Sequence, residues 1–158
     1  MNIEDFKGMM DGFDPASLLP DLEPILGKLA LLARIAVLIG PVVLLVIGFV
    51  YLFAAPKEAN YYIGYRCYYG MGSVEAWRFT QGLAGVVFGA LGLVMIVAML
   101  LICGSFAEMQ TMDLLWRAIY CLAGEAIAVL IACLVINIVV MIRYDGKGNE
   151  RKKKAVRR

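Results

Sequence analysis

Two places in the sequence hold side chains able to do chemistry. One is Glu125, a lone acid inside a long apolar run. The other is Pro56–Phe79, PKEANYYIGYRCYYGMGSVEAWRF, a polar and aromatic stretch between two apolar runs. Glu125 lies about 12 residues past the start of its run, which at ~1.5 Å per residue puts it near the middle of a bilayer. A charge there costs about 2.5–3.5 kcal/mol on insertion scales, so it needs a partner or a job. It binds a ligand or a proton, or else it is held in an interhelical salt bridge or as a protonated, hydrogen-bonded acid. Arg34 and Arg117 are its candidate ion partners. Asn137 sits about 120° further round the same helix. It therefore serves a different contact, by default an interhelical hydrogen bond.

The chain has no histidine. That removes histidine-dependent base catalysis, Ser–His and Cys–His nucleophiles, and histidine-rich metal sites. Cys67, Cys103, Cys121 and Cys133 have no CxxC spacing. They read as small buried hydrophobes rather than as a ligand set. With no nucleophile–base pair left, an enzyme is the least favoured class, and neither metal nor cofactor is expected.

The Pro56–Phe79 stretch looks folded. Gly64, Gly70 and Gly72 suit turns with positive φ. Ser73 is placed to cap a helix that begins with Glu75, Ala76 and Trp77. Tyr61, Tyr62, Tyr65, Tyr68 and Tyr69 suit a membrane interface. Arg66 and Arg78 are free to bind lipid phosphates, to pair with Glu58 and Glu75, or to contact a protein.

The elements that must position these residues are membrane helices. Of 158 residues, 62% are hydrophobic, against about 45–50% in a soluble domain, and mean hydropathy is +0.79. We expect one all-α membrane domain with three transmembrane helices, about residues 29–55, 79–103 and 114–142, each long enough for a ~30 Å hydrocarbon core. Gly40-Pro41 should bend the first helix. In the second, Gly82, Gly85, Gly89 and Gly92 fall on one narrow face. In lipid such small residues permit close backbone approach, so the face is a helix contact within a protomer or in a homo-oligomer.

Charge sets the flanking segments. Residues 1–28 are acidic, with Pro15, Pro20 and Pro24 among apolar residues. They read as an interfacial segment or a lid, and not as a signal peptide, because no basic region precedes an apolar core. Residues 145–158 form a basic tail. Bases near a span end stay in the cytoplasm, which gives N-out/C-in and puts the 56–79 loop inside. Lys28 and Arg34 dissent, but the reverse orientation would export the whole tail. Orientation and attraction to anionic lipid, about 1 kcal/mol per base, account for Arg151–Arg158. They imply no direct contact with nucleic acid.

Together, Asn60, Ile63-Gly64-Tyr65-Arg66, Ser73, Glu75 and Trp77, continued by Phe79 and Gln81, resemble the hallmark of the SdpI family of bacterial membrane immunity proteins. The ending Tyr144-Asp145-Gly146-Lys147-Gly148-Asn149 also resembles that family's close. The resemblance covers about residues 54–150. Cys67 departs from it, standing where the family usually has threonine, and longer members carry extra N-terminal spans. The resemblance implies a protein of the bacterial cytoplasmic membrane that protects against a secreted, apolar killing peptide, with a cytoplasmic repressor as a further partner. Two other classes stay open. One is a small oligomeric transporter or channel using Glu125. The other is a scaffold or regulator that binds a cytoplasmic partner through the 56–79 loop, with Arg66 and Trp77 as contacts.

Overall fold

The computed structural model describes residues 23–59, 62–109 and 111–151. They form three long helices: α1 (Glu23–Phe53), α2 (Val74–Gly104) and α3 (Thr111–Arg143). A short 3-10 turn, Ser105–Glu108, joins α2 to α3. Among the described residues there is no strand, only an isolated bridge between Tyr144 and Glu150. All three helices are long and apolar enough to cross a membrane. At 31, 31 and 33 residues and ~1.5 Å per residue, each outruns a ~30 Å core and projects into the interface. This is a multi-pass membrane protein.

The helices start earlier than their apolar runs. α1 begins at Glu23 rather than near residue 29, because Pro24 falls in the first turn, where its missing N–H is no loss. α2 begins at Val74 rather than near residue 79, because Ser73 supplies its cap. α1 continues through Pro41, whose ring is fully buried. The acidic segment before residue 23 and the end of the basic tail lie outside the described residues.

α1 and α2 run antiparallel and very close. A Cβ on Gly48 would lie 2.5 Å from the Gly89 amide nitrogen. One on Gly85 would lie 2.5 Å from Leu52, and one on Gly92 would lie 2.7 Å from the Leu45 nitrogen. The predicted glycine face is therefore an α1 contact within the protomer. It is narrower than predicted: added Cβ atoms on Gly82 and Gly89 meet nothing within 4 Å. Gly89 is instead the surface on which Gly48 rests.

α3 closes the bundle. At one end Phe79 and Tyr144 pack with ring centroids 5.6 Å apart. At the other, Val37, Met99 and Ala118 form a small core. The main core lies between, around Leu44, Ala84, Phe88, Met95, Ala132 and Ile136. Elsewhere the helices carry bare apolar faces such as Leu32, Val94, Leu101 and Leu130, each at least 60% exposed. In a membrane protein that surface belongs to lipid.

Candidate functional site

The loop between α1 and α2 is built by side chains that satisfy its backbone. Gln81, buried on the second turn of α2, accepts from the Tyr65 N–H (2.8 Å) and donates to the Tyr65 carbonyl (2.8 Å). One amide thus does for Tyr65 what a neighbouring strand would do. Trp77 is fully buried and donates its indole N–H to the Pro56 carbonyl at 2.8 Å, tying α2 to the start of the loop just past α1. Gly64 packs against that indole with φ of +120°, where a Cβ would sit 2.7 Å from the ring. Both the backbone angle and the space demand glycine there.

From this anchor Tyr65 reaches α3. Its hydroxyl donates to the Cys133 carbonyl (3.2 Å) and accepts from the Asn137 amide (3.1 Å). Burial holds the phenol above its ordinary range, so it stays a neutral donor. Asn137 therefore bonds the loop, and not another helix as its position predicts. It and Glu125 do serve separate contacts. Cys67 is buried, and burial pushes its thiol up. Its sulfur faces the Thr80 hydroxyl, which donates to the Ala76 carbonyl at 2.7 Å.

Ser73 caps α2 as predicted, accepting from the Ala76 N–H at 3.1 Å. It also donates to the Gly148 carbonyl at 2.7 Å. That second bond docks a feature not apparent in the sequence: residues 144–151 fold back as a tight hairpin against the start of α2. Asp145 accepts from the Lys147 and Asn149 amides at 2.9 and 2.8 Å. The Asn149 amide bond, first among several, holds the Asp145 carboxyl below its usual range. Gly148 turns with φ of +75° and is packed against Gly72 and Ser73. Arg143 pairs with Glu150 at 2.9 Å and stacks 4.3 Å above the Phe79 ring centroid.

The outer side of the loop is different. Ile63, Arg66 and Tyr68 are exposed, as are Glu75 and Arg78. Of the three uses open to Arg66 and Arg78, pairing with Glu58 or Glu75 does not form among the described residues. Trp77 has no exposed surface and so is unsuited to touch a partner directly. Asn60 lies outside the described residues.

Glu125 is isolated. Its residue is 7% exposed, and one carboxyl oxygen, Oε1, is buried without a hydrogen-bond partner. The other lies against Gly40 of α1. Neither of its two candidate arginine partners pairs with it. Arg34 donates to the Phe106 carbonyl at 3.0 Å, holding the 3-10 turn, and its Nε is also unpartnered. Arg117 is exposed near the start of α3. Glu125 lines a pocket of about 480 Å³ with Gly40, Leu44, Met95, Leu122 and Val129. Among the described residues no cluster of acids and thiols could hold a metal.

No curated protein and no solved structure matches the chain. The segment with the loop, the glycine face and Glu125 does match a family model, over residues 57–144, more than half the chain. By that match the protein belongs to the SdpI/YfhL protein family.

Proposed function

We propose that this protein is a membrane immunity factor that protects its cell against a secreted, apolar killing peptide. We also propose that the 56–79 loop, on the cytoplasmic side, passes the membrane state to a cytoplasmic partner such as a repressor. The family is one of membrane immunity proteins and is not known for enzymes, which supports a reading without catalysis. One observation carries the reading: the loop continues directly from α1 and side-chain hydrogen bonds fasten it to both α2 and α3. Trp77 of α2 holds Pro56 at the start of the loop, Gln81 of α2 holds Tyr65, and the Tyr65 hydroxyl reaches α3. A peptide that packs against the bundle and shifts one helix therefore moves the loop backbone. Ile63, Arg66 and Tyr68 present that movement to the aqueous phase. A ligand shifts such an equilibrium only through different affinities for the two states.

Survival of a sensitive bacterial host, challenged with candidate killing peptides, tests this. The host expresses the protein, Arg66→Ala or Glu125→Gln at matched membrane abundance. The expected result is protection by the unchanged protein, and its loss in Arg66→Ala. Failure to protect against any peptide would reject immunity. A partner captured through Arg66 with no effect on survival would favour a regulator without a toxin role, the reading that the exposed face of the loop also supports.

A further inference from the structure

We infer that the pocket at Glu125 is a binding site for a lipophilic amine entering sideways from the bilayer. The site stands on its own geometry and does not rest on the immunity reading. Its walls come from all three helices: Gly40 and Leu44 from α1, Met95 from α2, and Leu122, Val129 and Leu130 from α3. At about 480 Å³ it has the size of a small-molecule site. It is not sealed, since Leu122, Ala126 and Leu130 lie on the exposed surface that faces lipid. An apolar body with a single polar end fits this shape.

The polar end is specified by what Glu125 lacks. Its residue is more than nine-tenths buried, and Oε1 has no donor. The nearest arginine of α1, Arg34, is engaged with Phe106 towards the bundle end. Hydrocarbon supplies no donor. None of the described residues supplies that donor, and the site calls for an N–H or O–H brought by a ligand. An ammonium supplies both a donor and the opposite charge, and that attraction strengthens as the dielectric falls. A primary amine on an apolar chain is thus preferred over an alcohol of equal length, and a fatty acid is disfavoured.

The test measures saturable binding of radiolabelled dodecylamine to the full chain in phosphatidylcholine nanodiscs, with empty nanodiscs subtracted. Displacement is by unlabelled dodecylamine, dodecanol or dodecanoate. We expect one saturable site, displaced at least ~10-fold better by the amine than by the alcohol, a difference that a charged hydrogen bond readily supplies. Glu125→Gln should lose that preference while retaining helicity and elution volume. Ala126→Phe, on the lipid face, should fill the pocket and weaken binding with the acid intact. Binding unchanged in Glu125→Gln, equal displacement by dodecanol, or no saturable component would each overturn the assignment.

Discussion

The loop end of the bundle and its middle treat buried polar groups in opposite ways. At the loop end, Gln81 spends both ends of its amide on Tyr65, Trp77 finds the Pro56 carbonyl, and Ser73 both accepts and donates. In the middle, Glu125 Oε1 has no partner, and Arg34 Nε lacks one nearer the far end. Among the described residues these two are the buried side-chain atoms without a hydrogen bond. A satisfied network fixes a conformation. An unsatisfied acid does not stabilise the fold, because an unpaired polar group in apolar surroundings is a cost. The first region is held by its own hydrogen bonds, and the second leaves its acid unsatisfied.

That contrast can be broken by mutation, most forcefully at Trp77. Trp77→Ala removes a fully buried indole and orphans the Pro56 carbonyl. About 3–5 kcal/mol of stability should go. Denaturant titration in mild detergent would register it, and a loss below about 1 kcal/mol would show the loop to be loosely held. Next comes Gln81→Leu, which keeps the volume but leaves the Tyr65 N–H and carbonyl unpartnered. Each orphan costs about 1–3 kcal/mol. Amide exchange at Tyr65 should accelerate in step. Stability lost without faster exchange at Tyr65 would place the effect elsewhere.

The glycine face offers a comparison inside one helix. Gly85→Ala drives a Cβ to within 2.5 Å of Leu52, whereas Gly89→Ala points its Cβ into open space. The first should cost about 1–3 kcal/mol as overpacking. The second should be neutral or slightly stabilising, since alanine is the better helix former. Equal effects at the two positions would mean that α1 and α2 do not approach along this line.

Much of this was readable from sequence, for physical reasons that also mark the limit. Three apolar runs had to become helices because lipid satisfies no backbone group. Ser73 was recognisable as a cap from its place before Glu75 and Trp77, because capping is local. The glycine repeat gave a face but not its width, since the residues that α1 sets against it, Gly48 together with Leu52 and Leu45, decide which of the four are touched. Long-range bonds left no local mark. Tyr65 to Asn137 spans 72 positions, and Ser73 to Gly148 spans 75. The residues after Tyr144 looked like the start of a solvated tail because their charges fit one. The Asp145 turn that folds them back uses the same polar residues.

The smallest expected change is the most telling. Glu125→Gln is nearly isosteric and removes the ionisable group from a site where that group has no hydrogen-bond partner at Oε1. If the acid were a structural strut, glutamine would cost as much as Gln81→Leu, because breaking a buried polar contact strands the other half. The absence of a partner leads instead to unchanged or higher stability in the same denaturant titration, with the gain bounded by the roughly 2.5–3.5 kcal/mol that a charge costs at mid-bilayer. A gain would mean that the acid is ionised in the resting protein, and no change would mean that it is already neutral. In either case the fold does not depend on the carboxyl. A loss comparable to that of Gln81→Leu would erase the distinction between the two regions and make Glu125 part of the scaffold.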